Sequence, residues 1–326
     1  MRRSPHRLWR WIGAVACLAF LVGGAVVLFP PARRALTSTE PGRVLRYAWW
    51  AVLAENPVCP TLQAFQGLHE AYRTHRASAR LAPALRPVQT DSQGFRLWDS
   101  PVGQWWFPKD TSEDNVRFAL AQYEVTAYPG LTIRPGDVVL DCGGYVGDWA
   151  HWALRAGAAR VIIVEPAPAQ LECIRRNLAA PIREGRVTVV AKGLWDEPGT
   201  LKMRVIPDNP AANYVADDAR GETETIELTT IDDLVNQLGL ERLDAIKMDI
   251  EGAEVRALRG ARRTIQRFRP QLAVATEHTH DVVQNNRNVI ETMRQIAPDY
   301  RPRCGYCMLR NGLRRIVPET LYFYPN

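Results

Sequence analysis

The sequence predicts an α/β fold in which a doubly wound, mostly parallel sheet ends in an antiparallel edge and follows an N-terminal transmembrane helix. From Arg134 onward, short apolar runs alternate with helical patterns, an alternation that builds parallel strands covered by helices on both faces. The last apolar runs instead flank the turn signals Asn311-Gly312 and Pro318, as antiparallel neighbours do. Near the other end, Trp11 to Phe29 gives nineteen consecutive uncharged residues. With 46% hydrophobic and 23% charged residues over 326 positions, the composition is globular and excludes a disordered, collagen-like or disulfide-scaffold protein.

As a helix, the run WIGAVACLAFLVGGAVVLF would be ~28 Å long, one bilayer core. Arg2, Arg3, Arg7 and Arg10 precede it, Trp9 and Trp11 supply an interfacial edge, and Pro30-Pro31 ends it. A signal peptide has a shorter apolar run of ~7 to 15 residues and a small-x-small cleavage site, whereas PPARR follows here, so residues 1–30 read as an uncleaved anchor. Arg33, Arg34, Arg43 and Arg46 balance the four leading arginines, so charge does not set the orientation. Of the 41 basic and 35 acidic residues, residues 1–90 hold twelve Arg and three Glu, leaving 29 basic against 32 acidic downstream. The net excess of +6 is therefore N-terminal. It points to a membrane surface and away from nucleic acid, whose enzymes carry their basic stripe on the working domain.

Residues 31–120 form a second segment, a basic juxtamembrane stretch followed by an amphipathic helix and an aromatic hairpin. The helix spans Thr61 to Leu81, with Leu62, Phe65, Leu68 and Tyr72 at helical spacing. It either packs on the following domain or meets the membrane. The hairpin is GFRLWDSPVGQWWFPKD, with Trp98, Trp105, Trp106 and Phe107 read as core. Of the six cysteines only Cys304 and Cys307 form a Cys-x-x-Cys, and the second pair that a zinc site needs is missing. The cysteines read as reduced, structural thiols.

Residues 121–326 carry the alternating pattern, with strands expected at Val138–Leu140, Val161–Val164, Val187–Val190, Ala245–Met248 and Leu272–Ala275. The tail runs Met308–Arg310, Leu313–Val317 and Leu321–Tyr324 supply the antiparallel edge. The first strand ends in Asp141-Cys142-Gly143-Gly144-Tyr145-Val146-Gly147 before a helix near Asp148. A dinucleotide site wants Gly-x-Gly-x-x-Gly, and aligning Gly144 and Gly147 with its last two glycines puts Cys142 at the first, where glycine fits the tight turn. An S-adenosylmethionine site uses a strand-end acid and glycines that admit the amino-acid part of the cofactor, and Asp141, Gly143 and Gly147 suit it. Glu165 closes the second strand, 24 residues after Asp141, where its carboxylate can accept from both ribose hydroxyls of either cofactor. After the third strand, Trp195 and Asp196 either border an adenine or form an Asp-Glu-Pro-Gly turn over the core.

Beyond these lie TIDDLVNQLGL, a helix capped by Thr230 or Asp232, and LDAIKMDIEGAEVRALRGA. Together with GDVVLDCGGYVGDW, VIIVEP and the strand running into TEHTH, they resemble the FkbM-family methyltransferases over about residues 120–300. The resemblance implies a seven-stranded Rossmann-like sheet, S-adenosylmethionine bound through Asp141, Gly143, Gly147 and Glu165, and Asp249 and Glu251 in the active site. Where the family often has Asn, this chain has Tyr145.

Methyl transfer to a hydroxyl needs donor and acceptor aligned and a base for the proton. Asp249 and Glu251 follow the fourth strand, and Glu277, His278 and His280 the fifth, so both groups face one crevice. His278 reads as the base from its ordinary pKa of ~6.5, with Asp249 orienting the acceptor or sulfonium and Glu251 in support. Glu254 reads as a helix N-terminal acid and His280 as a solvent-exposed loop residue. No metal is assigned; a divalent ion on Asp249, Glu277 and His278 is the lesser reading. The sequence thus describes a membrane-anchored O-methyltransferase for a glycan, lipid-linked saccharide or related small molecule, its catalytic domain facing the cytoplasm where the cofactor is made. Two rivals stand beside it. An NAD-dependent oxidoreductase or epimerase is opposed by Cys142 and by the lack of a Tyr-x-x-x-Lys, and a catalytically silent scaffold is suggested by Tyr145.

Overall fold

A computed structural model describes residues 40–122, 125–206, 213–215, 223–310 and 315–326. The expected anchor at 11–29 and the Asn311-Gly312 turn lie outside these residues. Among the described residues no helix is long and apolar enough to cross a membrane.

Helices α1 (Glu40–Leu53) and α2 (Thr61–Leu81) open the chain, followed by β1 (Arg86–Thr90), β2 (Arg96–Ser100), β3 (Gly103–Phe107) and α3 (Glu113–Ala121). The aromatic hairpin forms as expected, with Trp98 opposite Trp105, and β1 adds a third antiparallel strand that the sequence did not reveal. Trp98, Trp105 and Phe107 are buried. Next come β4 (Val138–Cys142), α4 (Asp148–Ala156), β5 (Arg160–Val164), α5 (Pro168–Asn177), α6 (Ala179–Arg183) and β6 (Val187–Val190). A small sheet, ordered β7-β10-β8-β9, combines β7 (Gly193–Leu194), β8 (Gly199–Arg204), β9 (Tyr214–Val215) and β10 (Thr223–Thr229). The remainder is α7 (Ile231–Gln237), β11 (Ala245–Met248), α8 (Glu254–Arg259), α9 (Arg262–Phe268), β12 (Gln271–Ala275), α10 (Val282–Ile296), β13 (Arg301–Arg310) and β14 (Arg315–Tyr324).

The main sheet has seven strands in the order β13-β14-β12-β11-β4-β5-β6. Strands β6, β5, β4, β11 and β12 run parallel; β14 is antiparallel to β12, and β13 to β14. Side chains alternate across a strand, so Leu140, Ile162 and Ile246 enter one core cluster while Val139, Val161 and Ala245 enter the other. Burial on both faces is why these strands read as continuous apolar runs. The order reverses between β4 and β11, and such a reversal opens a crevice at the strands' carboxyl ends.

Two expectations about the edge are corrected. The tail is one hairpin of two ten-residue strands, because β13 begins in the polar stretch from Arg301, which carries no apolar signal. Cys59 and Cys304 are joined by a disulfide, so they are not free thiols; Cys142, Cys173 and Cys307 are. The two partners are 245 residues apart in sequence, a separation that hides their proximity. Helix α2 also lies on β13. Gln63 accepts from the Cys304 N–H at 2.9 Å and Glu70 from the Tyr306 N–H at 3.0 Å. A Cβ on Gly67 would stand 2.4 Å from the Cys307 sulfur, so the absent side chain sets this close approach. The helix packs through Ala64, Gly67, Leu68 and Ala71, whereas Leu62 of the expected apolar stripe is exposed. Thr230 caps α7, whereas Asp232 turns inward to accept from the Thr264 amide and hydroxyl, both at 2.7 Å.

Candidate active site

A cavity of about 240 Å³ opens where the strand order reverses. At its base the β4–β11 register sets Lys247 opposite Asp141. The Lys247 Nζ lies 3.1 Å from Asp141 Oδ1, donates to the Gly143 carbonyl at 2.5 Å and stands 4.0 Å from Asp249 Oδ2. Both members of the pair are buried. Burial alone would pull the ammonium down, but Asp141 and Asp249 outweigh it and hold Lys247 above its ordinary value. Burial pushes the Asp141 carboxyl up against the pull of Lys247. Gly143 has φ of 81°, and a Cβ there would stand 1.8 Å from the Asp249 carbonyl oxygen. Only glycine lets the turn after β4 lie on the exit of β11.

Of the residues expected to hold the cofactor, Gly143 and Glu165 line the cavity. Glu165 accepts from the Tyr145 amide at 3.1 Å and the Ala167 amide at 3.0 Å. Burial pushes its carboxyl up to about 7, although those two amides pull the other way. Asp141 is not in the lining and reaches the site through Lys247. Gly147 serves packing: a Cβ there would meet Leu178 at 2.8 Å. Trp195 and Asp196 are also outside the lining. Arg256 lies over the Trp195 ring at 5.4 Å and donates to Asp196 at 2.8 Å, while Lys192, Gly193 and Leu194 face the cavity instead.

At the other end Asp249, Glu251 and His278 all line the cavity. The Tyr128 hydroxyl donates to Asp249 Oδ2 at 2.5 Å. Burial would raise the Asp249 carboxyl, but Lys247, His278 and this bond together hold it below the usual range. The His278 Nδ1 is 3.2 Å from Glu254 Oε1, and its Nε2 faces Asp249, Glu251 and Glu277 at 3.3, 3.5 and 3.7 Å. Burial lowers an imidazole's pKa, yet the Glu254 bond and the surrounding carboxylates push His278 up to about 11. Glu251 and Glu277 are pushed up to about 8, first by burial and then by their like-charged neighbours. The neutral histidine expected as the base thus sits among carboxylates that favour its protonated form. Glu277 turns one oxygen to the Thr276 amide, and among the described residues the groups with convergent ligand atoms are Asp249, Glu251 and His278. Glu254 does begin α8, but its Oε1 also accepts from the Ile250 and Gly252 amides.

The sequence reading missed Lys247, Tyr128, Gln122 and the reach of Tyr145. A lysine inside the apolar run AIKM was a usable signal, since a charge in a strand buried on both faces needs a partner. Tyr128 gave none, lying 121 residues from Asp249. Gln122 donates to Asp148 Oδ2 at 2.5 Å, and the Tyr145 hydroxyl reaches Thr111 at 3.5 Å.

The family model described as Methyltransferase FkbM domain matches residues 141–308. The 31-O-demethyl-FK506 methyltransferase FkbM of Streptomyces tacrolimicus is 27% identical over 184 residues, covering 47% of this chain and 69% of that protein. The 2-O-methyltransferase NoeI of Sinorhizobium fredii is 24% identical over 188 residues, covering 52% and 74%. Methyltransferase FkbM from Methylobacillus flagellatus KT, a solved structure, aligns with a TM-score of 0.42 at 21% identity, covering 79% of this chain and 61% of that one.

The buried pair predicts an asymmetry in stability. Lys247→Met should destabilise the protein by about 3–5 kcal/mol in urea unfolding, because Asp141 is left buried without its counter-charge. Adding Asp141→Asn should restore much of the loss. A single variant as stable as the parent would show that the pair does not hold the turn.

Proposed function

The chain belongs to the FkbM methyltransferase family, and we propose that it transfers a methyl group from S-adenosylmethionine to a hydroxyl of a glycan, lipid-linked saccharide or related small molecule at a membrane. The observation that carries this reading is one cavity joining Glu165 after β5 to Asp249, Glu251 and His278 after β11 and β12. Its donor set suits the cofactor. The Glu165 carboxylate offers acceptors for ribose hydroxyls, and Leu194, Met203 and Ile226 give apolar wall to a base. When bound, S-adenosylmethionine supplies an electrophilic methyl: the acceptor oxygen bonds to the methyl carbon as the carbon–sulfur bond breaks, and the electron pair stays on sulfur.

The chain's own residues then have three tasks. Glu165 holds the nucleoside end. Asp249, kept ionised by Lys247 and oriented by Tyr128, faces the acceptor hydroxyl. The hydroxyl proton passes to a carboxylate of the Asp249–Glu251 pair, and His278 balances their charge. The O-methyltransferase activity in the names of two relatives supports a hydroxyl acceptor. The same membership, with Cys142 where a dinucleotide turn wants glycine, sets the NAD reading aside. Tyr145 keeps its amide on Glu165, which argues for a working turn and against a silent scaffold.

Membrane attachment rests on the Trp11–Phe29 run and the N-terminal basic excess. We place the catalytic part on the cytoplasmic side, where the donor is made. The Cys59–Cys304 bond favours the opposite side, since disulfides persist in oxidising compartments. A phosphatase reporter after Asn326, read with the oxidation state of that pair in intact cells, separates the two. An inactive reporter and reduced cysteines support the cytoplasmic placement; an active reporter reverses it.

Asp249→Asn and Glu251→Gln should each lower kcat by ~100-fold with near-normal S-adenosylhomocysteine binding. Unchanged turnover in both would move the chemistry elsewhere. Cofactor affinity should also follow Glu165. Its acceptor form is the carboxylate, populated above about 7. S-adenosylhomocysteine should therefore bind roughly tenfold tighter at about pH 8 than at about pH 6. Calorimetry on Glu165→Gln should show weaker binding and a flattened profile; a parent profile without that rise would remove Glu165 from the ribose site.

A further inference from the structure

We propose that Asp249, Glu251 and His278 bind a divalent cation at the acceptor end of the cavity. Their ligand atoms lie within 4.8 Å of one another. The His278 Nε2 stands 3.3 Å from Asp249 Oδ1 and 3.5 Å from Glu251 Oε1, longer than the 2.7–3.2 Å of an ordinary N–H···O bond. Neighbouring ligands of an octahedral cation, each ~2.1 Å from the metal, are themselves about 3 Å apart. Two of the three separations are thus close to those between neighbouring ligands of a shared ion.

The supporting groups are already in place. Glu254 holds the His278 Nδ1 at 3.2 Å, leaving Nε2 aimed at the two carboxylates, and the Ile250 and Gly252 amides fix Glu254 in turn. A carboxylate behind an imidazole is the usual way a ligating histidine is oriented, and an ion bound at Nε2 displaces the proton that this nitrogen carries in the ion's absence. Tyr128 occupies Asp249 Oδ2 and leaves Oδ1 facing His278. Glu254 itself is fully buried, and among the described residues its Oε2 has no hydrogen-bond partner. Four carboxylates, Asp249, Glu251, Glu254 and Glu277, therefore crowd one imidazole, while the nearby Lys247 is already engaged by Asp141 and Gly143.

Two carboxylates and one imidazole suit magnesium or manganese better than a thiophilic metal. Three protein donors leave open positions toward the cavity. On the methyltransferase reading, which this role rests on, those positions would take the acceptor's hydroxyl oxygen, and a second oxygen beside it in a vicinal diol. Coordination acidifies a hydroxyl, the help that His278 by itself does not give.

The test is Mn²⁺ titrated alone into the full-length protein, with free ion followed by electron paramagnetic resonance. One saturable ion per chain is expected, and Asp249→Asn, Glu251→Gln and His278→Ala should each weaken it at least ~10-fold. S-adenosylhomocysteine binding by the same variants shows that they are folded. A parent protein that binds S-adenosylhomocysteine but no Mn²⁺ or Mg²⁺ overturns the proposal, as does Mn²⁺ binding that all three variants leave unchanged. Mn²⁺ binding lost in the variants, from a parent that does not bind S-adenosylhomocysteine, upholds the cation site and refutes the methyltransferase reading.

Discussion

The site depends on one buried ion pair, Lys247 with Asp141, at the point where the sheet reverses its strand order. An ammonium has three donors and no acceptor. Here they meet the Asp141 carboxylate on the neighbouring strand, the Gly143 carbonyl in the following turn and the field of Asp249 beyond β11. Taking two charges out of water is unfavourable, and geometry has to repay it. The return is positional: one side chain ties the glycine turn after β4 to the carboxylate after β11. Gly143 completes the arrangement by letting the turn touch the Asp249 backbone.

From that anchor the cavity divides into two electrostatic regions. Near β5, Glu165 is satisfied by backbone amides and raised by burial, so its charge responds near neutrality. Near β11 and β12, carboxylates from three elements surround His278. In such a place a histidine becomes the counter-charge before it can become a base. An ordinary pKa does not describe it, because the relevant field comes from residues up to 29 positions away in sequence.

The segment before the family match shapes the same cavity. Phe118 and Gln122 line it with Tyr128, and Thr111 reaches the Tyr145 hydroxyl. Asn177 exchanges hydrogen bonds with the Trp106 backbone and donates to the Val146 carbonyl, which fixes the aromatic hairpin over the glycine turn. At the opposite edge, α2 and the Cys59–Cys304 bond hold the helical start of the described chain to β13. Tyr145 is thus an anchor between the turn and residues that the family match does not include.

By itself the sequence determined what repeats locally. Strands buried on both faces are apolar runs, so β4, β5, β6, β11 and β12 were legible almost to the residue, as were α2, the aromatic hairpin, Gly143 and the strand-end acids Glu165 and Asp249. Only the tertiary structure decided what depends on approach from afar. Asp141 was moved from the cofactor to Lys247 by strand register, and Trp195 and Asp196 were drawn to Arg256 by a neighbouring helix. The upward pull on the His278 pKa and the pairing of Cys59 with Cys304 followed from contacts across the fold. Periodicity is written in consecutive residues, whereas a charge's environment and a thiol's partner are set by whichever distant segment packs against them.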